Sequence, residues 1–309
     1  YVTRLIPTIT VEEVNAKFAE GNTGRNRTIV INGPSEGVAH LTREEALAIM
    51  DKVSRADIAP YQDEVAEGSL ISEDLPGSEV VAEKALPDFE AVEWTLGNGA
   101  KVVFRKADYE KEDVALYAYS KGGTSLYDTE LLPSATNVSN FASAMGVGDF
   151  DAIALAKLLT GKMASCEVGI GNLAETVSGF SSPGDFETML QLLYLRFEKP
   201  RFDREMFESI RNRSRAALHN MGNSPQMIMQ DSMSLIMSNY HPRTLLYNEA
   251  YIDRLDFVQM ERIYRERIKD ASDFVFFIVG NINAETVKPL VEKYIGSLKS
   301  DYRKETWRD

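Results

Sequence analysis

The chain has 309 residues, of which 44% are hydrophobic and 26% charged, and its formal net charge is −13. These proportions are ordinary for a folded globular protein, and the acidic excess argues against nucleic acid and anionic membrane surfaces as partners. A single cysteine excludes an internal disulfide and a thiolate metal cluster. No apolar run approaches the ~20 residues that a transmembrane helix needs, so no membrane insertion is expected.

Residues 1–60 are predicted to form a partial α+β segment. Two helices are indicated by a threonine that is followed three residues later by a glutamate, the pattern of a capping box. The predicted elements are helix Ile9–Glu20 with Thr10 and Glu13, strand Arg27–Gly33, and helix Leu41–Val53 with Thr42 and Glu45. Three elements cannot close a hydrophobic core. Because the chain also begins at Tyr1 rather than Met, we expect the C-terminal remnant of a preceding domain in a longer polypeptide.

Residues 61–90 are predicted to be an acidic interdomain linker. Between Tyr61 and Glu93 there are ten acidic residues and one basic residue, so −9 of the net charge of −13 lies in this stretch. About thirty residues without periodicity would be long for a loop inside one domain. The alternative is an ordered strap along the domain surface. Its anchors would be the apolar residues Leu70, Ile71, Leu75, Val80 and Val81.

Residues 91–298 carry the pattern of a complete α+β domain, in which a mostly antiparallel sheet has helices packed on one face. Strands are predicted over 94–104, 114–120, 163–182 (two strands with a turn at Gly171-Asn172) and 274–280, the last a central strand covered on both faces or nearly so. Helices are predicted over 134–145 and 151–159, from Ser182, which acts as the cap, and from Asp203 and Asn283 onward. The side chains expected to face inward are Phe186, Met189, Leu190, Leu193 and Phe197 on the helix after Ser182, and Met206, Phe207, Ile210, Ala217 and Leu218 on the helix after Asp203. Cys166 is predicted to be a buried structural thiol. Residues 299–309 are expected to start the next linker.

Four motifs of this domain occur in an order that is characteristic when they are taken together. A strand with NGAKV near Asn98 is followed by the Gly122-Gly123 turn, the segment Pro200–Asp203, and the ending IVGNINAETVKPLVEKYIGSL. This order resembles a domain of the insulinase/pitrilysin (M16) family of zinc peptidases, with its LuxS-like metallohydrolase type of fold. The resemblance implies a protein of two homologous halves joined by a linker. This chain would hold the end of the first half, the linker and the third domain.

The family's metal-binding motif is missing from this frame. In active members, the helix after the Gly-Gly turn carries H-x-x-E-H, with two zinc ligands four residues apart and a glutamate as general base. Counted without gaps from that turn, the five positions are Thr136, Asn137, Val138, Ser139 and Asn140. The chain therefore resembles the non-catalytic second half. We predict that it contains no catalytic, metal-binding or cofactor-binding residues, and that zinc is bound in the missing first half.

No other constellation in the sequence indicates a site. The histidines His40, His219 and His241 include no pair at helical ligand spacing, so surface or capping roles are expected. A loose group of methionines is expected to pack in the core or against a missing domain. Its members are Met221, Met227, Met229, Met233 and Met237.

The resemblance implies a non-catalytic, chamber-forming domain of a zinc metalloendopeptidase that cleaves unfolded peptides. Such a fragment is predicted to be inactive by itself, and its partners would be the missing domains of the same polypeptide and, in the full-length enzyme, a peptide substrate. The alternative is a domain of an inactive M16-like subunit used for binding or assembly. An H-x-x-E-H in the missing first half would decide between them. The resemblance suggests a bacterial periplasm or cell envelope, while the residues specify neither compartment, peptide preference nor oligomeric state.

Overall fold

A computed structural model describes residues 2–21, 28–33, 37–59, 69–221 and 224–308. The chain divides into two units, Tyr1–Asp63 and Glu64–Asp309. All strands of the described residues belong to the second unit, where they form one sheet. Within the described ranges, no helix combines the length and the apolar character needed to cross a membrane.

The first unit contains three helices in its described part, α1 (Val2–Leu5), α2 (Val11–Gly21) and α3 (Arg43–Ser54). Both predicted capping boxes are confirmed. Before α2, Glu13 N donates to Thr10 Oγ1 over 3.2 Å and Thr10 N donates to Glu13 Oε2 over 3.1 Å. Thr42 and Glu45 form the same reciprocal pair before α3. Each box satisfies backbone N–H groups that the first turn of a helix leaves without partners.

The strand predicted over Arg27–Gly33 is wrong where it is described. Residues 28–33 contain no strand, and Arg27 lies outside the described residues. A strand needs a neighbour to satisfy its backbone groups, and the described part of this unit has no second strand to supply one. The apolar side chains of the segment accordingly remain accessible, and Val30 is 72% exposed.

The second unit is built on a seven-stranded sheet with the order β1-β2-β3-β7-β4-β6-β5. The strands are β1 (Val80–Leu86), β2 (Ala91–Leu96), β3 (Lys101–Lys106), β4 (Val114–Lys121), β5 (Ala164–Ile170), β6 (Ala174–Ser181) and β7 (Val275–Gly280). Every pairing is antiparallel except that of β3 with β7. The predicted α+β fold with a mostly antiparallel sheet is confirmed.

One face of the sheet is buried and the other is accessible. Side chains of β4 alternate between buried and exposed along all eight residues, because successive residues of a strand point to opposite faces. β7 lies in the middle of the sheet, as predicted, but it is not covered on both faces: Phe276 and Ile278 are fully buried whereas Val279 is 38% exposed. Its uniform apolar run therefore reflects a central position rather than two covered faces.

The described part of the second unit contains eight α-helices, and the five that were predicted occur in the predicted order. The eight helices are α4 (Leu132–Ala144), α5 (Ala152–Leu158), α6 (Phe186–Glu198), α7 (Arg204–Met221), α8 (Pro225–Met237), α9 (Glu249–Asp253), α10 (Phe257–Arg267) and α11 (Ala284–Tyr294). Helix α6 supplies much of the core, since the side chains of its predicted inner face are 5% exposed or less. Asp151 caps α5 by accepting from Ile153 N and Ala154 N, which fixes the start of that helix.

One prediction about inward-facing side chains is wrong in part, and one of the two alternatives for the methionines is excluded. On α7, Phe207 is buried, but Met206 is 36% exposed. On α8, none of the helical residues is buried within the described part of the chain. Met233 is 54% exposed and Met237 is 83% exposed, so these two methionines do not pack in the core, and packing against a missing domain stays a prediction. The helical period located α7, but it did not identify which of its side chains are covered.

The acidic segment differs from the expected linker in the part that is described. Leu70 and Leu75 are buried in the core cluster of the second unit, and residues 80–86 form β1, which pairs with β2 along its length. Ser78 N donates to Glu292 O over 2.9 Å. These contacts match the strap alternative, although Val81 is 67% exposed. The division of the chain at residues 60, 90 and 298 stays a prediction.

Candidate functional site

Helix α4 is positioned by the Gly122-Gly123 turn. Gly123 has φ 62°, in the left-handed region that favours glycine. A Cβ on Gly123 would lie 2.3 Å from the backbone oxygen of Gly171, in the turn between β5 and β6, so no side chain fits there. The turn therefore packs directly on the β5–β6 hairpin and sets where the chain enters α4.

The five positions of the family motif lie on α4, and side chains at these positions form hydrogen bonds with nearby groups. Thr136 Oγ1 donates to Leu132 O over 2.8 Å. Asn137 Nδ2 donates to Pro133 O over 2.9 Å and also contacts the Tyr251 hydroxyl. These bonds turn the two polar side chains back toward the helix and its neighbour α9.

The remaining three positions are no better suited to a metal. Val138 is fully buried, Ser139 Oγ accepts from Ile170 N over 2.9 Å, and Asn140 is exposed. Zinc in proteins is held by imidazole, thiolate and carboxylate groups, and none of the five side chains supplies one. These residues do not fit a zinc ion. Elsewhere in the described ranges, no group of three or more His, Cys, Asp and Glu side chains is placed to hold a metal.

The histidines and the cysteine are dispersed. His219 Nδ1 lies 3.0 Å from Glu249 Oε1, between α7 and α9, and this hydrogen bond holds the pKa of Glu249 below its usual value. His241 Nδ1 accepts from Arg243 N within a loop. Cys166 is buried, as predicted, and burial raises the pKa of its thiol to about 12. The sulfur is therefore neutral and inert at physiological pH.

A cleft of about 540 Å³ lies over α4 and is lined by Thr136, Asn137 and Asn140. It thus opens at the positions where the family carries its metal ligands. The other walls of the cleft come from the turn after Gly122, the β5–β6 turn, the loop before α9, and Arg308. Its polar lining consists of hydroxyl, amide, phenol and guanidinium groups. Among the polar lining residues, the sequence gives no indication of Arg243, Tyr247, Tyr251 and Arg308.

Arg243 joins the loop before α9 to the turn before α4. Its Nη1 donates to Tyr127 O and its Nη2 to Thr124 O, each over 2.8 Å. Tyr251 on α9 is buried, and burial raises the pKa of its phenol; its ring lies 5.2 Å from that of Tyr247 in an edge-on contact. The sequence gives one signal for this wall, because Asn248 precedes a short helix and its Oδ1 caps Tyr251 N. Nothing in the sequence links that helix to α4.

A buried carboxylate supports the Gly-Gly turn from the other side. Glu175 on β6 is fully buried; its Oε1 accepts from Gly123 N over 2.9 Å and lies 3.5 Å from Arg267 Nη1. The Ser120 hydroxyl has one proton, which it can donate to Glu175 Oε2 over 3.3 Å or to Asp273 Oδ2 over 2.9 Å. Burial raises the pKa of Glu175 despite these partners. The group is enclosed by the fold, so its role is to hold the turn.

The C-terminal tail, residues 301–308, is attached to the same region. Its side chains and backbone are bound to β4, α10 and the segment before β7. The attachments are Lys269 with Asp301, Arg303 N with Asp270, Lys304 with Asp273, Arg267 with Glu305, and Lys121 over the ring of Trp307. They bring Arg308 to the edge of the cleft, where its backbone N donates to Ser125 Oγ over 3.1 Å.

The chain is similar in sequence to proteins that are named as probable zinc proteases. No family model matches the chain. The chain is 26% identical over 213 residues to the probable zinc protease PqqL of Haemophilus influenzae, covering 67% of this chain and 22% of that protein. It is 21% identical over 299 residues to the probable zinc protease PqqL of Escherichia coli, covering 96% of this chain and 32% of that protein. The resemblance to the M16 zinc peptidases is confirmed.

Solved structures agree in fold. The crystal structure of the periplasmic protease PqqL from Escherichia coli matches 99% of this chain and 34% of that chain, with a TM-score of 0.67 and 19% identity. A peptidase M16 inactive domain from Pseudomonas fluorescens matches 71% of this chain and 54% of that chain, with a TM-score of 0.55 and 19% identity. The chain thus spans about a third or less of the length of the curated relatives named above.

Proposed function

We propose that this chain is a non-catalytic part of an M16-type zinc metalloendopeptidase and forms one wall of the chamber that receives unfolded peptides. The observation that carries the proposal is which residues helix α4 has at the positions of the family motif. The helix follows the Gly-Gly turn as in the active half, yet Thr136, Ser139 and Asn140 stand at the positions of the two zinc ligands and the general base. The likeness in fold to an M16 inactive domain supports the same conclusion.

In this proposal the catalytic groups lie outside the chain. Residues 1–60 end the first half, residues 91–298 are the third domain, and zinc is bound by the first domain of the parent protein. The chain contributes shape and closure, while the chemistry occurs on the opposite wall. Because a relative from Escherichia coli is described as a periplasmic protease, we also propose a periplasmic or cell-envelope location.

The test uses the full-length parent protein. Its zinc content is measured by elemental analysis, and its turnover is measured with a quenched-fluorescent unfolded peptide and with a folded protein of similar sequence. We expect one zinc per chain and cleavage of the peptide alone. Deletion of residues 91–298 is expected to abolish turnover while the zinc content is kept, because the removed wall holds no ligand. A parent that binds no zinc and cleaves nothing would instead be a binding or assembly subunit.

A further inference from the structure

The cleft over α4 differs in charge from the rest of the molecule. The chain has 47 acidic and 34 basic residues, yet the lining of the cleft includes two arginines and, among the described residues, no aspartate or glutamate. Several arginines elsewhere in the second unit are paired with carboxylates. Examples are Arg105 with Glu90, Arg215 with Asp253, and Arg265 with Glu261. A basic cleft in an acidic protein is suited to an anionic group.

Neither cleft arginine is neutralised. Within the described part of the chain, no carboxylate oxygen lies within 4 Å of the Arg243 or Arg308 guanidinium. Arg243 is fixed by two backbone carbonyls, which are neutral and use two of its five N–H donors. Arg308 is held at the rim through its own backbone N, bonded to Ser125 Oγ. The Arg243 guanidinium is thus in place before any ligand arrives, which lowers the entropy cost of binding. The exposed Arg308 side chain starts from a backbone that is fixed at the rim.

The neutral lining indicates what accompanies the anionic group. Asn140 and Asn172 are exposed and each side-chain amide offers both a donor and an acceptor, the complement of a peptide group. Three leucines supply an apolar surface beside them. A volume of about 540 Å³ falls within the range of roughly 300 to 1,000 Å³ that is usual for small-ligand sites. An inorganic anion would leave the amides and the leucines unused.

We propose that this cleft binds the C-terminal end of a peptide. Arg308 and Arg243 would contact the free carboxylate, the two asparagines the last peptide group, and the leucines the last side chain. The inference rests on the proposed function, since a chamber that encloses and cuts peptides contains such ends. It assigns a binding role to the surface that replaces the metal site in this half.

The test is a calorimetric titration of the 309-residue chain. The ligand is N-acetyl-alanyl-leucyl-alanine with a free carboxylate, and the comparison ligand is the same peptide with a C-terminal carboxamide. We expect the amide to bind at least about tenfold more weakly, because it cannot form the charge-assisted hydrogen bonds. Arg308→Gln should weaken binding of the acid by a similar factor, and Asn140→Asp should abolish it through repulsion.

Controls separate this inference from its alternatives. Arg213→Gln, at an exposed arginine of α7, should leave binding unchanged, and thermal denaturation shows that each variant is folded. Equal affinity for acid and amide, or no binding of either, overturns the inference. Displacement of the peptide by equimolar inorganic phosphate also overturns it, since the cleft would then be a general anion site. The zinc and turnover assays on the parent protein are independent, so peptide cleavage there without binding here rejects this inference alone.

Discussion

At the scale of single residues, Glu175 shows how a charged group can be retained inside this fold. It accepts a hydrogen bond from Gly123 N, can accept one from Ser120 Oγ and faces Arg267, so its oxygens have polar partners although water is excluded. Removing a charge from water is costly even when the charge is paired. Burial is the largest cause of the raised pKa of Glu175, and the raised pKa reflects the cost of removing the charge from water.

Glu175→Gln should therefore become more favourable to stability as pH rises. The folded pKa of Glu175 is raised, so between the unfolded value near 4.5 and the folded value, the folded state holds the proton more often than the unfolded state. Stability contributed by this group is lost as pH rises through that window, whereas glutamine keeps the neutral form at every pH. Urea unfolding of both proteins at pH 4.5, 6 and 7.5 measures the difference. A difference that is constant or falls with pH would contradict the expectation.

Restoring the family motif should not restore a peptidase. The triple variant Thr136→His, Ser139→Glu, Asn140→His supplies the motif. However, Ser139 Oγ accepts a hydrogen bond from Ile170 N, and removing it leaves this backbone N–H without its partner, which lowers the stability of the fold by about 1 to 3 kcal/mol. A third ligand and hydrogen-bonded partners for both imidazoles are also required. We expect weak zinc binding by calorimetry without peptide hydrolysis. Hydrolysis that stops on addition of a chelator would show that the remaining residues around α4 still support a zinc site.

At the scale of elements, local sequence signals were sufficient where local contacts decide the structure. The capping boxes at Thr10 and Thr42 and the Ser182 cap, whose Oγ accepts from Asp185 N, were readable because each depends on residues three apart. The inner face of α6 was readable for the same reason of short spacing. The cleft was not predictable, since Arg243 meets Thr124 only through tertiary packing.

Strand β1 was missed for a physical reason. It is an edge strand whose five central side chains are exposed, so it lacks the alternation that reveals a half-buried strand, and its acidic neighbours resemble those of a solvated linker. Its position is set by pairing with β2 and by Val80 N, which donates to Glu292 Oε1 over 2.9 Å. The sequence also does not reveal the parallel pairing of β3 with β7, because the paired residues of the two strands are far apart in the chain.

The strap, of which residues 69–86 include β1, can be tested with two matched side-chain truncations, one before β1 and one within it. Leu75 is 8% exposed and belongs to the core cluster, so Leu75→Ala should destabilise the second unit by about 2 to 5 kcal/mol. Val81 is 67% exposed, so Val81→Ala should change stability by less than about 1 kcal/mol. Denaturant unfolding followed through buried Trp94 reports both. If Leu75→Ala is as mild as Val81→Ala, the segment behaves as a linker.

At the scale of the whole molecule, the chain combines a complete sheet with an absence of reactive chemistry in its described residues. The buried groups that titrate abnormally, such as Glu175 and Cys166, are enclosed by the fold. The accessible groups over α4 are amides, hydroxyls and guanidinium ions, which bind and orient but do not activate water by themselves. This division is consistent with the proposed role of the chain as a non-catalytic wall.

The isolated chain is therefore expected neither to bind zinc in a fixed ratio nor to cleave peptides. His219 is already hydrogen-bonded to Glu249, His241 lies in a loop beside Arg243, and the Cys166 thiol is buried, so no three zinc ligands converge in the described ranges. The purified chain is stripped with a chelator, dialysed against equimolar zinc, and analysed for metal and for hydrolysis of a quenched-fluorescent peptide. Zinc well below one equivalent and no hydrolysis are the expected results. One equivalent of zinc that is lost in His40→Ala, His219→Ala or His241→Ala would show that a metal site exists within this chain.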